Sequence, residues 1–133
     1  MQWSESYRNR DDGPVTRIGT APSLIVVEMV FGRAGEQTGL HRHAFTHLMC
    51  VEEGELWLIG DAVPDGKTLG CGDTFEVPPG ELHGLNCTVA PARVVCRHEF
   101  GSGEPPEEWL AKLCTPKQSA DPVEVALEGW NVP

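Results

Sequence analysis

Short apolar stretches separated by turn residues run along most of this chain. The clearest is the segment from Leu24 to Phe31, which is rich in β-branched and apolar residues and predicts a buried strand. Further short extended segments are predicted at 41–51, 56–59, 74–77, 83–89 and 92–100. Repeated short strands with turns between them favour an antiparallel sandwich or barrel over alternating strands and helices.

Glycine and proline mark the breaks between these segments. The chain has 15 glycines and 11 prolines, scattered rather than periodic. Turns are predicted at 32–39, at Gly54, at Ala62–Lys67 and at 78–80, because these residues suit the backbone conformations of tight turns. The sequence therefore predicts an all-β fold.

The two ends of the chain have a different pattern from its middle. Residues 1–22 are polar and predict an N-terminal arm or an edge strand, and residues 23–100 form the predicted barrel. In residues 101–133, the stretch Glu104–Leu113 predicts one short helix that packs on the barrel, since proline and acids begin it and apolar residues form a stripe. The length of 133 residues suits a single domain.

The charge of the chain narrows the classes of partner. The net charge is −10, from 20 acidic and 10 basic residues. Nucleic acids and anionic membranes are bound through clusters of Lys and Arg, so neither is an expected partner. The longest apolar run, Leu24–Val27, is too short to span a bilayer. An anionic small molecule is possible as a substrate if the site supplies local positive charge.

The cysteines and the N-terminus indicate the compartment. Five cysteines, an odd number without a Cys-x-x-Cys spacing, do not form the pattern of a disulfide framework. The first residues are polar and lack the apolar core of a signal peptide. We therefore expect a cytoplasmic protein whose cysteines are mostly small core residues.

Four of the five histidines fall in two short segments and predict a metal site. His41 and His43 are two residues apart, so on a strand their side chains share a face. His47 lies about 13 Å further along a straight strand, so the chain must bend if His47 is to bind the same ion. His83 must come from a neighbouring strand. Imidazole is the commonest metal ligand of proteins, which makes a shared ion the first hypothesis.

The glycines, prolines and histidines around these segments resemble the two sequence motifs of the cupins. Here the motifs are Gly35-x5-His41-x-His43-x3-His47-x6-Gly54 and Gly72-x5-Pro78-x-Gly80-x2-His83, followed by Asn86. The resemblance implies a double-stranded β-helix, or jelly-roll barrel, with a divalent metal bound inside by His41, His43, His47 and His83. His47 stands where cupins usually have glutamate, and Asn86 comes one residue early.

The histidine in place of glutamate changes the expected metal chemistry. Four neutral ligands leave the ion with a charge of about +2 and two open positions on an octahedral centre, which suits a chelating anion. Imidazole binds Fe, Mn, Ni and Zn alike, so the ligands alone do not select the metal. The resemblance to cupin dioxygenases favours Fe or Mn.

Three functions remain open for such a protein. The favoured one is a metal-dependent dioxygenase that acts on a small anionic or chelating substrate. The second is a non-redox isomerase, lyase or polyketide-cyclase-like cupin that uses the ion as a Lewis acid. The third is a cupin that binds a small ligand without turnover. A homodimer is expected because strands pair between protomers in this family.

Two further residues are candidate acids or bases. Glu28 interrupts an otherwise apolar strand, and His98 lies on the last predicted strand. Each also has a plainer interpretation, because Glu28 could face solvent and His98 could be exposed or packed.

Overall fold

The computed structural model describes residues 1–42 and 46–99, so the predicted helix at 104–113 lies outside the described residues. Within those residues, seven strands form one antiparallel sheet. In chain order they are β1 (Gln2–Trp3), β2 (Val15–Ala21), β3 (Leu24–Phe31), β4 (His47–Gly60), β5 (Val63–Gly70), β6 (Thr74–Val77) and β7 (His83–Glu99). No helix of this part of the chain has the length and apolar character needed to cross a bilayer.

Two long strands, β4 and β7, hold the sheet together. The strand order is β1-β2-β3-β7-β4-β5, and β6 pairs with the first residues of β4. β4 and β7 pair antiparallel from Leu48 opposite Arg97 to Gly60 opposite His83. The predicted all-β, double-stranded β-helix fold is confirmed.

The first half of β7 has a second partner, which brings the predicted site together. The loop before β4 runs beside β7, with bridges between Gln37 and Asn86 and between His41 and His83. The second half of β7 pairs instead with β3. β7 therefore links the histidine segment on one side of the barrel to the apolar strand on the other.

The core follows from the alternation of side chains along these strands. Phe31, Leu56, Ala92 and Val94 are completely excluded from solvent and belong to one apolar cluster. Successive strand residues point to opposite faces. The long strands β3, β4 and β7 thus each contribute a row of side chains to the interior.

Three expectations about the strands need correction. The predicted turn at Ala62–Lys67 is mostly strand β5, because only the step from Gly60 to Val63 is tight. Pro64 is tolerated there because β5 has a sheet neighbour on one side only among the described residues. The predicted breaks at Gly54 and near residue 90 are irregularities inside the continuous strands β4 and β7.

Gly54 shows how β4 continues through a predicted break. Its φ is +74°, a conformation that L side chains rarely adopt. A Cβ at this position would lie 2.4 Å from the carbonyl oxygen of Pro91 and 2.5 Å from that of Val89. Glycine is thus required twice here, by the backbone conformation and by the close approach of β7.

Candidate metal centre

His41 and His83 form the described centre of the site. Their backbones exchange two hydrogen bonds, N to O and O to N, each of 2.9 Å. This reciprocal pair places the two residues directly opposite each other on adjacent chains. The centroids of their rings are 4.3 Å apart and the rings are tilted by 58°. Two residues that are 42 positions apart in the sequence therefore present imidazoles to the same space.

A local hydrogen bond orients each ring in the same way. His41 Nδ1 lies 3.0 Å from the carbonyl oxygen of Gly39, and His83 Nδ1 lies 2.9 Å from that of Glu81. A carbonyl oxygen only accepts, so each Nδ1 carries the proton and donates it. In a neutral ring the lone pair then resides on Nε2. Metal-binding histidines in proteins are commonly held in this way, with the second nitrogen donating to a carbonyl.

His98 reaches the same cavity from the far half of β7. Its Nδ1 donates to the carbonyl oxygen of Thr46, just before β4, so its lone pair is also on Nε2. His98, His41 and His83 all line the cavity. The sequence left two alternatives for His98, an exposed position or a packed one, and the structure excludes the exposed position.

The other two predicted ligands are only partly within the described residues. His43 lies outside them, and for His47 the structure describes the backbone alone. His47 begins β4, where it pairs with Val77. Met49, two residues further along β4, lines the cavity. Among the described residues, no three His, Cys, Asp or Glu side chains lie close enough to hold a metal ion.

The structure separates Glu28 from the site in which it was expected to act. Ile25, Val27 and Met29 of β3 line the cavity, and Glu28 points to the opposite face of that strand. There it is buried between two guanidinium groups, with Oε1 2.5 Å from Arg17 Nε and Oε2 2.9 Å from Arg93 Nε.

This ion-pair cluster also sets the protonation state of Glu28. The hydrogen bond from Arg17 lowers the pKa of the carboxyl, against the opposing effect of burial, and Arg93 lowers it further. Glu28 is thus held ionised as a structural anion. The sequence signal for this role was the single acid in the apolar run of β3; its arginine partners follow from the pairing of β3 with β2 and β7.

The cavity wall is apolar at its sides and carries no carboxylate among the described residues. Its members come from the N-terminal segment, the loop before β4 and the strands β2, β3, β4 and β7: Tyr7, Asn9, Arg10, Gly13, Pro14, Thr16, Ile25, Val27, Met29, Gln37, Thr38, His41, Met49, His83, Leu85, Cys96, Arg97 and His98. The absence of carboxylates from the described wall contrasts with the net charge of −10. The sequence had indicated only an arm at residues 1–22, without a part in the site.

Cys96 is a thiol in this wall rather than a nucleophile. Burial raises its pKa to about 12, with a smaller contribution from Cys50. The reactive form of cysteine is the thiolate, which is negligible at neutral pH for such a group. Cys96 therefore acts as a small apolar wall residue.

Comparison with solved structures places this architecture among known folds. An RmlC-like cupin from Shewanella frigidimarina is 26% identical, with 77% of this chain and 97% of that chain covered and a TM-score of 0.59. The protein described here has the cupin fold. KdgF from Halomonas sp. is 21% identical over 74% of this chain and 87% of that chain, with a TM-score of 0.60.

The cupin fold thus rests on structure rather than on sequence similarity. DMSP lyase DddQ from Ruegeria pomeroyi is 20% identical, with 64% of this chain and 42% of that chain covered and a TM-score of 0.54. No protein-family model matches the chain, and no curated protein matches it.

Proposed function

We propose that this protein is a metal-dependent cupin enzyme that acts on a small anionic organic substrate inside the barrel. The observation that carries the proposal is the shared orientation of His41 and His83. Both rings donate Nδ1–H to the backbone carbonyl two residues earlier. Both therefore keep a lone pair on Nε2 in a cavity whose described wall has no carboxylate.

The donor set fits a divalent ion. His41 and His83 would hold it, together with His43 and His47 from the same sequence motif. Such an ion, with Fe or Mn favoured, would supply a charge of +2 and open coordination positions for an anionic substrate.

The other groups of the cavity bind the substrate and exchange protons with it. Ile25, Val27 and Met29 on β3 exclude water from an apolar substrate body. His98 can accept or donate a proton at Nε2, since Thr46 fixes its other nitrogen. This arrangement suits an oxygen-dependent oxidation of the dioxygenase type, in which the substrate is held in a dry cavity.

A non-redox lyase or isomerase is the second candidate, and His98 is the observation that favours it. An imidazole in the cavity whose Nδ1 is held by a carbonyl oxygen can act at Nε2 as the general base that such chemistry needs. DddQ, a structure similar in fold, is described as a DMSP lyase. The two candidates differ in one measurable requirement, which is oxygen.

Metal analysis of the purified protein tests the requirement for a divalent ion, which both candidate functions share. We expect about one divalent ion per chain, with His47→Glu keeping the ion but changing which metal is preferred, because a carboxylate lowers the net charge of the centre. Glu76→Gln, at an exposed position of β6 that does not line the cavity, is the control for loss of a carboxylate outside the site. A wild-type chain that binds no divalent ion would refute the proposal.

Oxygen uptake separates the two candidates. The metal-loaded protein is incubated with a panel of small carboxylates and diols, and dissolved oxygen is followed together with substrate loss. Consumption of oxygen in step with substrate identifies an oxidation. Substrate loss at an unchanged rate without oxygen identifies the lyase or isomerase.

A further inference from the structure

The N-terminal segment before β2 supplies one wall of the cavity and a positive charge at it. Tyr7 bridges to Thr16, and a turn between Arg10 and Gly13 is closed by a 3.0 Å backbone hydrogen bond. The turn is tied to the loop before β4, because Gln37 N donates to the carbonyl oxygen of Asp12 at 2.8 Å. Arg10, in this turn, lines the cavity and its side chain is only 32% exposed.

Asp12 holds the guanidinium of Arg10 in place by pairing with its Nε and Nη2 atoms. Arg10 Nε donates to Asp12 Oδ1, and Nη2 lies 3.5 Å from Oδ2. Asp12 Oδ2 also accepts from Gln37 Nε2 at 3.1 Å, so the carboxylate is itself anchored. Asp12 is not among the cavity-lining residues. It therefore occupies one edge of the guanidinium and leaves the Nη1 side toward Gly39 and the cavity.

Gly39 contacts both this guanidinium and the imidazole of His41. A Cβ on Gly39 would lie 2.6 Å from Arg10 Nη1, so the guanidinium occupies the space that glycine leaves open. The carbonyl oxygen of the same residue accepts the proton of His41 Nδ1. Arg10 and His41 thus contact the same residue.

Arg97 is the other cation of the described wall, and it is less suited to bind a ligand. It lies between Cys96 and His98, and its side chain is 52% exposed and 3.7 Å from Glu99. Alternation along β7 therefore directs Arg97 away from the interior, which its two neighbours face. Arg10 is the guanidinium directed at the cavity.

We propose that Arg10 determines substrate specificity by binding an anionic group of the substrate at the cavity wall beside Gly39. The inference rests on the proposed function and assigns the substrate class as a carboxylate with a short apolar body. A planar guanidinium pairs with a carboxylate through two parallel hydrogen bonds, which a neutral amide cannot match. Ile25, Val27 and Met29 of β3 line the same cavity and accommodate the apolar body.

The test measures binding of a matched pair of probes to the metal-free full-length chain by calorimetry. The probes are 3-phenylpropanoate and its neutral amide, which share the apolar body. We expect wild type to favour the carboxylate about tenfold, because one charge-assisted hydrogen bond distinguishes the probes. Arg10→Gln should lose this preference and keep its affinity for the amide, which shows that the cavity is intact. Arg10→Lys should retain part of it.

Arg33→Gln is the charge-matched control, since Arg33 lies outside the cavity wall and is 86% exposed. It should keep the full preference. The proposal is overturned if wild type does not favour the carboxylate, if Arg10→Gln keeps the preference, or if Arg33→Gln loses it equally. Because the probes are used without metal, carboxylate preference in a chain that binds no divalent ion would reject the proposed function and leave the role of Arg10 standing.

Discussion

At His41 and His83, the backbone two residues earlier decides which ring nitrogen can bind a ligand. Gly39 and Glu81 supply the carbonyl oxygens, and the reciprocal backbone pair brings both rings to one place. His98 uses a carbonyl from a distant segment instead, at Thr46. In all three rings Nδ1 donates to a carbonyl oxygen, and the rings differ in position, which suggests different tasks.

Substitution of single histidines should distinguish a ligand from an acid or base. His83→Ala removes an Nε2 of the facing pair, so we expect metal affinity to fall at least tenfold, as is usual even for groups around a metal site. His98→Ala should leave the metal content close to one ion per chain. Metal content after dialysis is the measurement, and equal losses in both variants would assign His98 to the ligand set.

The ion pairs of Glu28 predict that the free energy of unfolding depends on pH. The hydrogen bond from Arg17 lowers its pKa below the ordinary value of 4.5, so the stabilisation is complete above that value and is lost as the pH falls through the lowered pKa. Glu28→Gln should therefore cost about 2 kcal/mol at pH 7, in the range of hydrogen bonds to charged groups. The difference from wild type should shrink below about pH 4, where wild type loses the same charge.

Thermal unfolding at several pH values checks this prediction. Glu76→Gln removes an exposed carboxylate of β6 and should change stability by less than about 0.5 kcal/mol at every pH. A deficit of Glu28→Gln that stays constant down to strongly acidic pH would show that packing, rather than charge, accounts for it.

At the scale of the elements, the long strands β4 and β7 depend on irregular positions that keep them in contact. Their pairing shifts register between Val51 and Leu56, and Gly54 lies inside that shift. The four motif glycines share a positive φ, at Gly35, Gly54, Gly72 and Gly80. The sequence motif therefore encodes backbone conformation as well as ligands.

Alanine substitution at two of these glycines distinguishes the cost of backbone strain from the cost of a steric clash. Gly72→Ala meets no atom within 4 Å and should cost about 1 kcal/mol for the positive φ alone. Gly54→Ala should cost more than about 3 kcal/mol, since its Cβ would collide with the backbone of β7. Denaturant unfolding measures both. Equal costs would mean that β7 moves aside easily.

At the scale of the whole molecule, the described cavity wall carries no carboxylate although the net charge of the chain is −10. The proposed metal binding inside the barrel would couple the site to global stability. A divalent ion at about 100 times its dissociation constant should stabilise the fold by about 2.7 kcal/mol. For a domain of this size the unfolding midpoint should rise by roughly 10 °C.

Thermal unfolding with and without the ion measures that coupling. A chelator should reverse the shift, and His83→Ala should abolish it. A shift that survives in His83→Ala would place the ion elsewhere on the molecule.

Much of the fold could be predicted because its signals are local. The apolar run of Leu24–Phe31 became β3 with the predicted bounds, and Thr74–Val77 became β6. The segment around Pro64 could not be predicted as strand, because its proline and glycine are turn residues by themselves. Only the position of β5 beside a single sheet neighbour makes them acceptable.

The sequence by itself determined the strand pattern, the glycines at conformations that other residues avoid, and the histidines available for a metal. Only the tertiary structure decided that His41 faces His83, that Glu28 turns away to Arg17 and Arg93, and that Arg10 joins the cavity wall. The reason is physical. Alternation along a strand is a short-range property, whereas the face that becomes the interior depends on pairing between residues far apart in the chain.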